Sequence, residues 1–148
     1  GQGKLTLVSA RKEKPGLFRY DFSGCPDLVQ TLAATLCGLE VPFRFTGTRT
    51  LRIKETDRIA ALQKELSRLG YVIEAGEDGD WISWDGTHCD PEDRPVIGTY
   101  HDHRMAMSFA PLAIRFPGIS IEDSGVVTKS YPAYWDDLEK AGFRLVRP

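Results

Sequence analysis

Two apolar stripes at helical spacing, each closed by a glycine and set between short strand-like runs, restrict this chain more than any other feature. From Asp27 to Leu36, Leu28, Leu32 and Leu36 recur every fourth residue, and Val29 and Ala33 widen the stripe before Gly38. From Thr56 to Leu69, Ile59, Leu62, Leu66 and Leu69 make one face, and Gly70 follows. Such stripes belong to helices that bury one side. A glycine just past the last turn takes the left-handed conformation that ends them. A third helix is expected from His103 to about Arg115, with Met105, Phe109, Leu112 and Ala113 inward. Pro111 inside it predicts a kink or an early end. A fourth, shorter helix is expected from about Pro132 to Ala141, stopped by Gly142.

Strand-like runs lie between them: Leu5 to Ala10, Leu17 to Phe22, Val41 to Phe45, Tyr71 to Ala75, Trp81 to Trp84, Ile119 to Glu122 and Phe143 to Val146. Several alternate apolar and polar, as half-buried strands do. Glu77-Asp78-Gly79-Asp80 signals a hairpin, and Thr87 to Pro95 reads as a polar loop. The order predicts a mixed α/β (α+β) chain of two similar units, each about half its length. No linker divides residues 1–148, so a single domain is expected.

Composition excludes several classes. The chain is 41% apolar and 27% charged, near the globular average and unlike a disordered chain, a collagen or a disulfide scaffold. Its formal charge of −2 does not advertise nucleic acid or an anionic membrane as a partner. No apolar run approaches the roughly 18 residues that span a bilayer. Cys25, Cys37 and Cys89 are an odd set without C-x-x-C spacing, so reduced thiols are expected rather than a zinc site or a disulfide framework. The chain opens Gly1-Gln2-Gly3 without an initiator Met, which fits either a processed chain or a piece of a longer protein.

The charged residues collect at the expected helix starts. Pro26-Asp27 opens the first, Lys54-Glu55-Thr56-Asp57-Arg58 the second and His101-Asp102-His103-Arg104 the third, while Thr128-Lys129-Ser130 precedes the fourth. Asp and Thr are ordinary caps there. Lys and Arg oppose the positive end of the helix dipole, so each solitary cation reads as solvated or paired with a neighbouring carboxylate. Several together read better as a pocket for a small polyanion carrying phosphate and carboxylate groups.

Those residues also carry a family resemblance. Leu51-Arg52-Ile53-Lys54-Glu55-Thr56-Asp57-Arg58-Ile59 resembles the L-R-x-K-E-(T/S)-D-R signature of the 5-enolpyruvylshikimate-3-phosphate synthases, the 3-phosphoshikimate 1-carboxyvinyltransferases of the shikimate pathway of aromatic amino acid biosynthesis. Thr99-Tyr100-His101-Asp102-His103-Arg104-Met105-Ala106-Met107 resembles the family's second signature, which ends D-H-R-M-A-M. Lys129-Ser130-Tyr131-Pro132 resembles its C-terminal lysine motif, and Asp27 precedes Lys54 as the family's catalytic aspartate precedes its lysine. The resemblance implies a longer protein of two globular domains, each built from three βαβαββ units as an inside-out α/β barrel, with the active site between them. This chain would be two units of the C-terminal domain. Its implied partners are phosphoenolpyruvate, 3-phosphoshikimate and the missing N-terminal domain, with no nucleic acid and no membrane. The implied location is the cytoplasm.

The implied reaction joins the 5-hydroxyl of 3-phosphoshikimate to C2 of phosphoenolpyruvate and expels phosphate through a tetrahedral intermediate, without metal or organic cofactor. It needs a base, an acid for the methylene carbon, and cations for carboxylate and phosphate. By resemblance, Asp27 is the base at the hydroxyl, Lys54 a proton carrier near it, and Glu55 the group exchanging protons with the methylene. Arg58, Arg104 and Lys129 would grip phosphoenolpyruvate, and Asp27 and Lys54 would also bind substrate. The division between base and acid stays open. One departure stands out: Thr50 replaces the Asn that many members carry.

Plainer readings stand beside these. Asp27 after Pro26 also suits a simple cap, and Asp57 and Asp102 suit caps or partners of neighbouring cations. His101 and His103 lack a third ligand for a metal. Trp81, Trp84 and Trp135 suit packing, with Trp135 and Tyr131 able to cover the lysine loop. A sister family that transfers enolpyruvyl to a UDP-sugar shares the fold but not these signatures. A free-standing anion-binding or regulatory module reusing this half-domain is the alternative from another class. The expected cleft contributors are all to face one side and be partly exposed, and the Lys129 loop is expected to have few apolar anchors.

Overall fold

The computed structural model describes residues 16–146. The expected strand at Leu5 to Ala10 lies outside them. Strand β1 (Phe18–Asp21) runs into a 3-10 turn (Pro26–Leu28) and helix α1 (Val29–Gly38), then β2 (Phe43–Thr46). A second 3-10 turn (Arg49–Ile53) leads to α2 (Arg58–Arg68), followed by the hairpin β3 (Glu74–Ala75) and β4 (Trp81–Trp84). The remainder is β5 (Val96–Ile97), α3 (His103–Phe109), a 3-10 stretch (Ala110–Ile114), β6 (Ser120–Ile121), a 3-10 turn (Ser124–Lys129) and α4 (Tyr134–Lys140).

The main sheet has the order β1-β2-β4-β3. β1 and β2 are parallel across the α1 crossover, while β2–β4 and β3–β4 are antiparallel. Register places Phe43 opposite Trp84 and Phe45 opposite Ile82, and all four are buried. On the other face Arg44 covers the Trp81 ring at 4.2 Å. β5 and β6 pair in parallel as a separate two-stranded sheet. One core joins Phe22, Phe45, Leu51, Leu62, Met105 and Phe109, and a smaller cluster gathers Ala106, Ala110, Val127 and Tyr134. The described residues contain no helix long and apolar enough to cross a membrane. The three thiols are free.

Several expectations shift, each for a physical reason. Helix α2 starts at Arg58 rather than Thr56, because Asp57 is its cap. Pro111 does end α3 early, and the chain tightens into 3-10 geometry from Ala110. In α1 the core face is turned part-way: Val29, Ala33 and Leu36 are buried as expected and Ala34 and Cys37 join them, while Leu28 just before the helix is exposed and Leu32 half-buried beside Phe18 and Phe22. The small residues let α1 approach α3, where Thr31 and Ser108 hydroxyls meet at 3.0 Å. Gly38 is not the left-handed stop; Glu40 takes that conformation at φ 55°. Gly38 instead serves a close approach, since a Cβ there would lie 2.7 Å from Leu112 Cδ2.

Of the run from Tyr71 to Ala75 only its end pairs with β4, and Phe143 to Val146 forms no strand. Val96–Ile97 was not anticipated; two residues are too few to show a period. The Lys129 turn is better anchored than expected. Val127 is buried, and Trp135 Nε1 donates to Ser124 O at 2.9 Å.

Candidate functional site

The hairpin between β3 and β4 is the prop for the first site segment. Gly79 at its tip has φ 70°, a conformation that favours glycine. Its carbonyl accepts from the buried Thr48 Oγ1 at 2.7 Å, just before the 3-10 turn Arg49–Ile53. Arg52 Nη2 donates to Gly76 O at 3.2 Å, and Arg52 Nη1 pairs with Asp57 Oδ2 at 3.0 Å. Asp57 Oδ1 accepts from the amides of Ile59 and Ala60, which caps α2. Lys54, Glu55 and Arg58 are thereby fixed at the start of one helix.

Asp102 does the same for α3. Its Oδ1 accepts from the Arg104 amide at 2.8 Å, and its Oδ2 accepts from Arg58 Nε at 2.7 Å. Asp57 and Asp102 are thus both caps and cation partners. Asp27 differs. It sits in the turn before α1 and caps nothing with its side chain. Its Oδ1 faces Arg58 Nη1 at 2.9 Å and Lys54 Nζ at 3.5 Å, and its Oδ2 faces Arg104 Nη2 at 3.1 Å. Arg104 Nη1 also donates to the Asp27 carbonyl at 3.1 Å.

Arg58 is the hub. Its guanidinium meets Asp102, Asp27 and Glu55, the last at 2.7 Å, and its side chain is 1% exposed. The expectation that Arg58 is partly open to solvent is therefore corrected. Three carboxylates accept from its Nε, Nη1 and Nη2, and that pairing offsets the high cost of taking a guanidinium out of water. Lys54, Asp27 and Arg104 are each about a third to nearly half exposed, at 33%, 44% and 32%, so they form the open face above it. Glu55 is exposed beside them.

Two opposed influences act on Asp27. Partial burial pushes its pKa up, but Arg104, the hydrogen bond from Arg58, Lys54 and the Arg58 charge together hold it below the ordinary value. In this state Asp27 is a settled carboxylate with low proton affinity.

The structure thus brings Asp27, Lys54, Glu55, Arg58 and Arg104 together on one face. Lys129 is exposed, ends the 3-10 turn packed on α3, and makes no ion pair among the described residues. His101 is exposed, with Nδ1 3.4 Å from Asp123 Oδ2. No three His, Cys, Asp or Glu side chains converge as metal ligands among the described residues. Sequence reasoning missed Gln30, which is fully buried with Nε2 3.4 Å from Asp102 Oδ2. A polar residue inside the apolar stretch of α1 was the available signal.

Comparison with known proteins agrees with the signatures. The family model described as EPSP synthase (3-phosphoshikimate 1-carboxyvinyltransferase) matches residues 3–138. A 3-phosphoshikimate 1-carboxyvinyltransferase of Bacteroides fragilis is 56% identical over 125 residues, covering 84% of this chain and 30% of the relative. That of Methanospirillum hungatei is 40% identical over 122 residues, covering 82% and 27% respectively. That of Nostoc punctiforme is 40% identical over 130 residues, covering 88% and 29%. The chain therefore spans about 30% of the length of the relatives it matches. With both signatures folded onto one face and most of the chain matched, the chain belongs to the EPSP synthase (3-phosphoshikimate 1-carboxyvinyltransferase) family.

Proposed function

We propose that this chain is the C-terminal part of a transferase that moves the enolpyruvyl group of phosphoenolpyruvate to the 5-hydroxyl of 3-phosphoshikimate, releasing phosphate. The observation that carries this reading is the Asp27 carboxylate held at once by Lys54, Arg58 and Arg104. The three cations come from two helix starts and from the turn before them, and all can exchange one carboxylate for another.

Phosphoenolpyruvate brings a carboxylate and a phosphate. Arg104 and Lys54 are open enough to take them directly, and Lys129 adds a movable charge. When these cations turn to the substrate they leave Asp27. The influences that depress its pKa fade, and the effect of burial remains. Asp27 then gains proton affinity at the moment a base is required. It takes the proton of the attacking hydroxyl as oxygen bonds to C2. Lys54 or Glu55 supplies the methylene proton, and a methyl proton returns when phosphate leaves C2. Arg58 holds Asp27 and Glu55 in register and touches the substrate only by trading one of those carboxylates.

The same reading makes residues 1–148 one domain portion, built of two successive repeat units of an inside-out α/β barrel. The remaining length of the relatives supplies the opposing wall, and the protein works in the cytoplasm without cofactor. The test is phosphate release by the whole protein with both substrates. Asp27→Ala is expected to cost about 10²-fold or more in turnover. Near-normal turnover in that variant would remove Asp27 from the chemistry, and inactive wild-type protein would overturn the reading.

A further inference from the structure

Away from the substrate face, α2 buries a second charged side chain. Glu65 lies two turns beyond Arg58 on that helix and is 1% exposed. A buried carboxylate must be satisfied by donors or cations. Glu65 Oε1 accepts from Tyr100 Oη at 2.5 Å, and Oε2 accepts from the Gly98 amide at 3.1 Å. Arg68 Nε stands 3.1 Å from Oε2 as an ion-pair partner. Two of the three partners therefore belong to the segment that leads from β5 into α3. A Cβ on Gly98 would stand 3.3 Å from both Glu65 Oε1 and the Tyr100 ring, so the three residues are in close contact.

The turn they hold is unusual. Tyr100 and His101 are consecutive residues at φ 54° and 58°, in the left-handed region that side-chain-bearing residues avoid. Such a turn persists only when its surroundings fix it. His101 adds only a solvent-exposed contact, its Nδ1 3.4 Å from Asp123 Oδ2 with the side chain 94% exposed. The next residue is Asp102, whose two oxygens hold the Arg104 amide and Arg58 Nε. The turn thus sets where the cap of α3 stands, and the cap sets where Arg104 starts. Helix α2 grips the α3 entrance at two points on one face, two turns apart: Arg58 to Asp102 and Glu65 to Tyr100. Burial, followed by the hydrogen bond and charge of Glu65, pushes the Tyr100 pKa up, so its hydroxyl remains a donor at neutral pH.

We infer that Glu65 and Tyr100 are positioning residues for the phosphoenolpyruvate site, holding the left-handed Tyr100-His101 turn and through it Asp102 and Arg104. The inference rests on the proposed function for its kinetic readout. Both act through Asp102 and Arg104 rather than by contact with substrate.

The experiment uses the whole protein and three variants: Tyr100→Phe, Glu65→Gln, and Tyr100→Phe combined with His101→Gly. Tyr100→Phe removes one oxygen and keeps the ring. It is expected to raise KM for phosphoenolpyruvate roughly tenfold while KM for 3-phosphoshikimate stays within about twofold, the scale of a displaced positioning group. Glu65→Gln, which keeps the shape, is expected to move the same constant in the same direction. Glycine at 101 adopts the left-handed conformation unaided, so the double variant is expected to recover most of the loss. Amide hydrogen exchange at Arg104 reads the same positioning without turnover. It should quicken in Tyr100→Phe and slow again in the double variant. Wild-type protein without turnover would overturn the functional reading alone, because the exchange measurement still decides this one. Unchanged Arg104 exchange in Tyr100→Phe, or a loss that His101→Gly fails to restore, overturns the inference.

Discussion

Arg58 Nε lies 2.7 Å from Asp102 Oδ2, and the two side chains are 1% and 0% exposed. This buried pair joins the start of α2 to the cap of α3, and the open residues of the site stand on it. Removing one partner leaves the other charge buried and under-paired. Asp102→Asn keeps an oxygen for the cap but loses the charge, and it is expected to destabilise the whole protein by about 3 kcal/mol. Adding Arg58→Met removes the stranded cation, so the double variant should lose much less than the two single losses combined. Denaturant unfolding of the four proteins checks this. Additive losses would show that the pair is not a unit.

The ion pairs of Asp27 make a pH signature. Its folded pKa lies below the ordinary 3.8 of an unfolded aspartate. The folded state therefore prefers the ionised form, and the stabilisation is fully present above about pH 4. It is lost as pH falls through the folded value. The carboxylate is 44% exposed, so solvent screens the effect and salt weakens it further. Melting temperature against pH, in wild type and Asp27→Asn, reads the difference. The two curves should be offset at neutral pH and converge in acid. A constant offset down to pH 2 would refute the assignment.

Lys54 and Arg104 should separate in kinetics. Lys54 Nζ approaches Asp27 Oδ1 at 3.5 Å, its one ion-pair partner among the described residues, and its amine is placed to carry a proton. Lys54→Met is expected to lower turnover of the whole protein about 10²-fold or more. Arg104 has a planar fork whose Nη2 donates to the Asp27 carboxylate and whose Nη1 donates to the Asp27 carbonyl, so it suits holding a carboxylate. Arg104→Ala should raise KM for phosphoenolpyruvate by more than it lowers kcat. Steady-state kinetics with each substrate varied decides the matter, and identical effects of the two variants would erase the distinction.

The parts of this arrangement that were legible in sequence are local ones. Asp57 and Asp102 announce caps because a carboxylate before an apolar helix satisfies free amides. Pro111 announces the end of α3 because its ring cannot continue the helix. What was illegible depends on distant partners. Glu55 and Asp102 are expected partners of the site's arginines, but nothing near Arg58 in sequence says that Asp27 will close over it as well, so its burial could not be foreseen. The turned face of α1 has the same origin. Leu28 and Leu32 fit the helical period as well as Ala33 and Cys37 do, and only the position of α3 decides which face is covered. Nothing local to Glu65 marks it for burial, since the Tyr100 that covers it comes 35 residues later.

The last expectation concerns residues 1–148 by themselves. Asp27, Lys54, Glu55 and Arg104 present their side chains to solvent on one open face. Water there competes for every cation and screens each charge, whereas the proposed chemistry needs two anionic substrates held against each other with water excluded. The relatives are more than three times as long as the matched stretch, which leaves ample chain to build an opposing wall. The isolated chain is therefore expected to release no measurable phosphate from phosphoenolpyruvate and 3-phosphoshikimate. Cooperative thermal unfolding must be recorded on the same sample, so that inactivity is read from a folded chain. Adding the separately produced remainder of the protein should restore turnover if the wall is what was lacking. Turnover by the isolated chain near that of the whole protein would mean that this face suffices alone, and the two-walled cleft would have to be abandoned.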